Sequence, residues 1–434
     1  MFKQISHVFF LRVILGLVIF ITDIFFARYL GPTFKGYYYI LIITPITLSF
    51  AAGLGLDYAL NYFGHRHSEK LFSLFLSSIL ITLFSCFIFM IFIGLNLFES
   101  SDFLYKAFPI EYSNSVLISL FLIPAQAILS LIVMLAMTMG RPDLSVYFRI
   151  IRRSGLLLLV VLLYLFYKAD APSKINLLLF AQLVSFLLCF GYFHFKIRIR
   201  FSEKFYPFKP LFIEGFRAYP GRLAERLQIR IGSIIVGMLS GGTAVGLFSV
   251  ALGISEIFFY VSGSAASVLF SKKISDTVSD KHLMSVRLML PLSIFCAIGI
   301  GIVSHLLIPF VYSSAFEKCR FLVWLILPGC ISEALIQTIS PFLVQKGQSR
   351  IVSIGLICGL VMMIFTNILF VPKFHETGAS LAYSISFIFA FFLILALSIK
   401  KNPDIKVADF IFVNANDMEI VRMAARRLTK FKFF

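Results

Sequence analysis

Charged residues are scarce in this sequence, and their scarcity limits the classes of protein that it can encode. Only 14% of the 434 residues are Asp, Glu, Lys or Arg, whereas soluble domains average about 25%. Apolar residues account for 59% of the chain, and the mean hydropathy is +0.95. This much apolar surface covers the outside of a protein as well as filling its core. The composition excludes an ordinary soluble domain and predicts an integral membrane protein.

The motifs of nucleotide, hydrolytic and metal chemistry are also missing. The sequence has no P-loop, no glycine-rich dinucleotide turn, no serine nucleophile elbow and no histidines at metal-binding spacing. The six cysteines are scattered, mostly in apolar runs, and no pair has redox or zinc spacing. We expect no catalytic residue, no metal and no cofactor, and we interpret the cysteines as packing residues.

Acidic residues are few relative to basic ones, 21 against 39, which gives a net charge of +18. In a soluble protein this excess would suggest a nucleic-acid partner. In a membrane protein it is typical of a basic cytoplasmic face that meets anionic lipid head groups. We therefore expect membrane lipids as partners and no nucleic acid.

Apolar stretches long enough to cross a bilayer recur from the N-terminus to about residue 400. A transmembrane helix needs roughly 20 mostly apolar residues, so we predict an all-α, polytopic protein with about twelve such helices. They lie near residues 8–28, 37–60, 71–97, 113–138, 145–166, 174–195, 217–239, 244–269, 283–311, 318–344, 350–371 and 377–399. With this alternation, the segments on the N-terminal side hold most of the lysines and arginines. The positive-inside rule then predicts that both termini are cytoplasmic.

The two halves of the chain match each other at a constant offset. The matched pairs are Gly31 with Gly241, Thr33 with Thr243, Gly36 with Gly246 and Arg12 with Arg222. We predict two pseudo-symmetric six-helix lobes, residues 1–200 and 201–400, and a basic cytoplasmic tail, residues 401–434. Because six is even, the lobes share one orientation and enclose a cleft, as in an alternating-access transporter. The tail fits either an amphipathic surface helix or a solvated segment.

Three arginines in the seventh predicted helix are the main candidates for a functional site. Arg222, Arg226 and Arg230 stand four residues apart, so they share one helix face within an arc of about 80° and climb about 12 Å. A charge at this depth needs a partner or water. Forked guanidinium groups match the oxygens of phosphate, so we predict a ladder that binds a phosphate-bearing head group. Interhelical ion pairs are the alternative.

Four further ionisable residues complete the candidate set. Glu256 in the eighth predicted helix and Glu333 in the tenth are each placed to neutralise Arg230 or to bind a coupling ion. Asp57, in the second helix, is expected to face a cavity or a membrane interface. Arg12, about one turn inside the first helix, either joins the ladder or extends its charge to the membrane surface.

Several motifs resemble one family of membrane transporters. Residues 27–38, ARYLGPTFKGYY, and residues 51–63, AAGLGLDYALNYF, are similar to segments in and after the loop between helices one and two of polysaccharide-export flippases. Residues 245–275 resemble the family's eighth helix and the connector after it, and residues 369–386 resemble its loop before helix twelve. The resemblance covers nearly all of residues 1–400. This chain departs from the family at Gly232, where relatives often have Asp, and at His375, which replaces a glycine.

These O-antigen and related lipid-linked oligosaccharide flippases belong to a superfamily that also includes multidrug exporters and the lipid II flippase. The resemblance implies two lobes in the bacterial inner membrane and outward movement of undecaprenyl-diphosphate-linked sugar. No bond is made or broken, so the protein would not be an enzyme. The resemblance also implies a cationic cavity, a role that would fall on Arg222, Arg226, Arg230 and Arg12. Polysaccharide polymerase and ligase machinery are candidate partners.

Two other functions fit parts of the pattern. An ion-coupled multidrug exporter of the same fold is consistent with the deep carboxylates. A membrane polysaccharide polymerase or glycosyltransferase would need carboxylates or histidines in a sizeable aqueous loop, and the longest predicted outside loop, near residues 98–112, is short. The sequence favours the flippase, with the exporter as its nearest rival.

Overall fold

The protein is all helical across the residues that the structure describes. The structure is a computed structural model that describes residues 2–98, 113–167, 170–197, 205–259 and 279–401, so the predicted tail beyond Lys401 and the loop at 99–112 lie outside it. The described helices are α1 (Phe2–Ala52), α2 (Leu56–Arg66), α3 (Leu71–Phe98), α4 (Ser113–Leu120), α5 (Leu122–Thr138), α6 (Pro142–Phe166), α7 (Ala171–Lys196), α8 (Phe208–Glu256), α9 (Ser279–Val311), α10 (Cys319–Gln345) and α11 (Ser349–Lys401).

The predicted polytopic membrane architecture is confirmed. Among the described residues, eight helical stretches are long and apolar enough to cross a membrane. Their outward faces carry large apolar side chains, and Phe195 and Phe310 are 80% and 79% exposed. A surface of this kind is unfavourable in water but is stable in contact with the hydrocarbon of a bilayer.

Three of these stretches are long enough for two crossings. They are Phe10–Ala52, Tyr219–Glu256 and Ser349–Lys401, with 43, 38 and 53 residues, and roughly 20 residues suffice for one crossing. Each is bent at a residue with positive φ: Gly31 at 72°, Gly241 at 77° and His375 at 48°. Division at these bends, together with α6, gives the pattern that the twelve-helix prediction requires. The count of twelve itself remains a prediction.

The linker predicted between the halves is shorter than expected. The sequence predicts a connector over residues 196–216, but α8 already begins at Phe208. Pro210 did not prevent this start, because the first turn of a helix needs no backbone N–H donor. Pro220 lies further inside the same helix. The difference follows from the proline-rich composition of the segment, which sequence reasoning associates with a break.

The two halves of the chain meet where α1 and α8 bend. Gly31 and Gly241 occupy nearly the same backbone conformation, with ψ of 175° and −177°, which is accessible to glycine and strained for other residues. Just beyond these bends, the hydroxyl oxygens of Thr33 and Thr243 lie 2.7 Å apart. These threonines are 210 residues apart, which is the offset of the repeat, so a symmetric pair of positions forms the contact.

Glycines allow the two backbones to approach closely here. A Cβ atom on Gly36 would overlap the carbonyl oxygen of Gly242, and a Cβ atom on Gly246 would overlap the carbonyl oxygen of Pro32. The two overlaps are related by the repeat, so each half offers the same surface to the other. We call residues 31–36 and 241–246 the elbows, and their packing the elbow contact.

A second contact joins the halves at the opposite end of this interface. A Cβ atom on Gly55 would overlap the carbonyl oxygen of Gly215, and a Cβ atom on Gly215 would lie 2.8 Å from the carbonyl oxygen of Leu54. The Tyr219 hydroxyl donates a hydrogen bond of 2.8 Å to the carbonyl oxygen of Ala51. The halves are thus in contact at both ends of the interface between α1 and α8.

Substitution of Gly36 by Ala tests the elbow contact. The added methyl group has to displace backbone rather than a flexible side chain, so we expect a loss of about 1–3 kcal/mol of stability. Gly36→Ala should therefore lower the melting temperature of the detergent-solubilised protein by several degrees. Gly191→Ala is the matched control, because no heavy atom lies within 4 Å of the added group. Equal melting temperatures for the two variants would contradict close elbow packing.

Candidate functional site

The predicted arginine stripe lies on the first half of α8 and faces the first half of the chain. Arg226 contacts Phe50, and Arg230 contacts Tyr39. Both aromatic residues belong to the second half of α1, residues 32–52. The stripe therefore runs along the interface between the halves, with Arg230 nearer to the elbows. The structure brings these two arginines to the position where an alternating-access cleft would form.

Arg230 is held by a carboxylate from its own half and a tyrosine from the other. Its Nη1 atom lies 3.0 Å from Oε1 of Glu256 and donates a hydrogen bond of 3.3 Å to the Tyr39 hydroxyl. The side chains of Arg230 and Glu256 are 27% and 34% exposed. Glu256 is thus the carboxylate that the structure places at ion-pair distance from this arginine. Both of these contacts use Nη1.

Arg226 has a different environment. Its side chain is exposed, and its guanidinium carbon lies 5.1 Å from the centre of the Phe50 ring. Within the described part of the chain, no carboxylate lies at ion-pair distance from it. A cation over an aromatic face gains about 0.5–1 kcal/mol at an exposed site, and the contact leaves the charge unneutralised. Arg226 is therefore available to an anionic ligand.

The remaining predicted residues are more dispersed. Arg222 continues the stripe by one turn, but its side chain lies outside the described residues. Arg12 is partly buried on α1, next to residues that pack against Val146 of α6. Asp57 lies in the first turn of α2 and accepts a hydrogen bond of 2.9 Å from the backbone N–H of Tyr58. That bond is local to α2 and does not connect Asp57 to the stripe.

Glu333 belongs to a separate cluster inside the second half. Its side chain is buried on α10 and accepts hydrogen bonds of 2.7 Å from the Tyr383 hydroxyl and 3.2 Å from the Gln337 side-chain amide. Tyr383 is itself fully buried. These partners satisfy the oxygens of the carboxyl group and supply no positive charge. A buried carboxyl group with neutral partners can take up a proton or a cation when the protein moves.

Sequence reasoning missed a charged cluster beside the elbows. Lys35 lies between the first two predicted helices and counts among the basic residues of the outside loops, yet its side chain is only 2% exposed. Its Nζ atom lies 2.9 Å from Asp23, which also accepts a hydrogen bond of 3.0 Å from the hydroxyl of Tyr312 in the other half. The only signal in the sequence is an acidic residue within the first helix, whose charge requires a partner.

Arg28 adds a second bridge between the halves at this end. Its Nε and Nη2 atoms donate hydrogen bonds of 2.8 and 2.7 Å to the carbonyl oxygens of Val311 and Phe310, at the C-terminal end of α9. A cation at a helix C-terminus satisfies carbonyl groups that have no partner within the helix. We call Asp23, Arg28, Lys35 and Tyr312 the elbow-end cluster. It closes the elbow end of the interface in this structure.

Known structures with this fold are membrane transporters. No protein-family model matches the sequence, and no curated protein sequence matches it significantly. The lipid II flippase MurJ, in an inward closed conformation, matches with a TM-score of 0.74 and 17% identity, over 100% of this chain and 94% of its own.

Two further matches come from the MOP superfamily. An inward-facing multidrug resistance transporter of the MATE family matches with a TM-score of 0.66 and 13% identity, over 91% of this chain and 99% of its own. A transporter from Pyrococcus furiosus matches with a TM-score of 0.57 and 14% identity, over 92% of this chain and 96% of its own. At such identities the similarity shows the fold alone. The predicted MATE-like fold is confirmed, while membership of the polysaccharide-export family remains a prediction.

Removing one charge of the Asp23–Lys35 ion pair should lower the stability of the protein more than removing both charges. Asp23→Asn leaves the buried Lys35 without a counter-charge, so we expect a loss of about 2–4 kcal/mol, discounted from a fully buried pair because Asp23 is 29% exposed. The double variant Asp23→Asn/Lys35→Met should recover much of that loss. The measurement is thermal unfolding of the purified protein in detergent.

Lys318→Met provides the control for this experiment. Lys318 is 77% exposed and lies 3.7 Å from Glu376, so its loss should cost less than about 1 kcal/mol. The interpretation fails if the double variant is no more stable than Asp23→Asn alone.

Proposed function

We propose that the protein is a flippase for a diphosphate-linked lipid. Its substrate would be an undecaprenyl-diphosphate-linked oligosaccharide, an O-antigen or other surface polysaccharide unit. It would carry this unit from the cytoplasmic to the outer leaflet of the bacterial inner membrane by alternating access. The observation that carries the proposal is Arg226, an exposed arginine at the interface between the halves that has no carboxylate partner among the described residues. Inside a membrane such a charge requires water or an anion.

The chemistry of this site suits a diphosphate. Arg226 presents its whole guanidinium group, and the described partners of Arg230 occupy only Nη1. Two neighbouring arginines on one helix face can bind the oxygens of adjacent phosphate groups through charge-assisted hydrogen bonds. Arg222 and Arg12 would extend the same cationic surface. These contacts would offset the free energy of hydration that the diphosphate loses when it leaves the aqueous phase.

Transport would follow from the relative motion of the two lobes, residues 1–200 and 201–400. The contacts at both ends of the interface between α1 and α8 would have to open in turn. With both termini and the tail cytoplasmic, the elbows would lie on the outer side. The step makes and breaks no covalent bond, so the protein would act as a transporter and not as an enzyme. Polymerase and ligase machinery would receive its product. The fold shared with the lipid II flippase MurJ supports a lipid-linked substrate.

The direct test is Arg226→Ala. Loss of its charge-assisted hydrogen bonds should weaken binding of purified protein to undecaprenyl diphosphate by about tenfold or more. In cells without their own flippase, the variant should lower surface polysaccharide by a similar factor at unchanged protein level. Arg141→Ala is the matched control, since Arg141 is exposed at the turn before α6 and pairs with Asp143. Full binding and full export by Arg226→Ala would remove this arginine from the mechanism.

An ion-coupled multidrug exporter is the second candidate, and the buried carboxyl group of Glu333 is consistent with it. A buried carboxyl group with neutral partners suits an ion-driven cycle in either function. Expression of this chain in cells that lack their own exporters distinguishes the candidates. Raised resistance to cationic drugs without any effect on surface polysaccharide would support the exporter and reject the flippase.

Glu333→Gln tests the coupling. The substitution keeps the shape of the side chain and removes its ability to bind a proton or cation, so transport should become independent of the ion gradient and fall to the uncoupled rate. Glu317→Gln is the control, because Glu317 is 63% exposed and pairs with Arg320 at the surface. Gradient-dependent transport by Glu333→Gln would place the coupling site elsewhere, for example at Glu256 or Asp57.

A further inference from the structure

A long apolar groove lies between the two halves on the elbow side. Its volume is about 190 Å³, which is below the range of about 300–1,000 Å³ that is typical of sites for a whole small ligand, so it has room for only part of a larger molecule. One wall is a face of α9 that runs from Gly299 to Val311, which corresponds to about 18 Å of helix, and Tyr312 follows it. Phe20 of α1 and Ile254 and Ile257 after the α8 bend form the other walls.

The side chains that line the groove favour a hydrocarbon ligand over a polar one. Its side chains are almost wholly carbon, with Val303 and Leu307 among them. Ser304 also lines it, but the Ser304 hydroxyl donates a hydrogen bond of 3.0 Å to the carbonyl oxygen of Gly301 and so is satisfied by its own helix. A sugar or a phosphate would lose its hydration here without compensation. The groove therefore excludes the polar part of a substrate and accepts an apolar chain.

The groove ends next to the charged site. Ile254 and Ile257 line it, and Glu256, the ion-pair partner of Arg230, belongs to the same turn but projects from a different face of the helix. This end is about 18 Å from the elbow end of α9, which is more than half of a hydrocarbon core of about 30 Å. A membrane phospholipid keeps its head group at the surface. A molecule that fits both sites has an anionic group deep in the protein and a long apolar chain beside it.

We propose that this groove binds the polyprenyl chain of the transported lipid. The inference rests on the proposed flippase function and adds a second binding site to it. Both halves of the protein line the groove, so its width depends on their relative position. The chain would remain in the groove, next to the membrane, while the diphosphate and the sugar cross between the halves.

Gly299→Leu fills the groove with little strain, because no heavy atom lies within 4 Å of a Cβ atom at this position. We would measure binding of purified protein in nanodiscs to two probes, long-chain undecaprenyl diphosphate and the short-chain analogue geranyl diphosphate. Gly299→Leu should weaken binding of the long-chain probe by about tenfold, equivalent to roughly two methylene groups left in water. Binding of the short-chain probe should change by less than about twofold. Gly191→Leu is the control, since Gly191 also has open space around it.

The outcomes separate the groove from the function. If wild-type protein binds neither probe, the flippase proposal and the groove proposal both fall. If it binds both probes and Gly299→Leu changes neither affinity, only the groove proposal is overturned. A photoreactive phosphatidylglycerol could also crosslink to the groove to the same extent with and without undecaprenyl diphosphate. That result would show that bulk lipid occupies the groove and would overturn the groove proposal. Val303→Trp, an exposed position on the same wall, repeats the test if Gly299→Leu does not yield folded protein.

Discussion

A charge within hydrocarbon must find a counter-charge, a hydrogen bond or water, and this constraint organises the interface between the halves. Lys35 forms an ion pair with Asp23, and Arg230 forms an ion pair with Glu256 and a hydrogen bond with Tyr39. Glu333 accepts hydrogen bonds from the neutral side chains of Tyr383 and Gln337. The first of these arrangements joins residues on the two sides of the α1 bend, and the other two join side chains from different helices. Arg226 is the exception, because an aromatic ring is its described partner, and the exception marks where a ligand would supply the missing charge.

The repeat and the membrane class could be predicted from the sequence because both depend only on the order of residue types along the chain. The offset that aligns Gly31 with Gly241 also aligns Thr33 with Thr243, and those threonines meet in the structure. Glycine and threonine at matched positions indicate a small, close contact without any knowledge of the partner. Composition alone similarly predicts where the bilayer lies, because the cost of exposed backbone and charge in lipid leaves few alternatives.

The partners of individual charges could not be predicted in this way, because pairing depends on which helix faces which. Glu256 and Glu333 were equal candidates for Arg230 in sequence. The bend of α8 at Gly241 brings Glu256 back to Arg230, whereas the packing of α10 against α11 gives Glu333 a hydrogen bond from Tyr383. Lys35 is the clearest case. Its neighbours in sequence indicate a loop, and its burial arises from the closeness of Tyr312 and Phe316 in the other half, whose rings lie 5.6 and 5.8 Å from Nζ.

The repeat is symmetric at the elbows but not in the chemistry that surrounds them. Position 245, which matches Lys35, is a buried valine, so the second half has no counterpart of Lys35 at the matched position. The arginine stripe and Glu333 lie in the second half, while the first half contributes aromatic partners. A symmetric pair of bends thus joins two chemically different surfaces. Under the proposed function, this difference would allow the interface to bind an anionic group on one side while a separate buried ion pair joins the halves at its end, so that opening the interface and binding the ligand would be distinct steps.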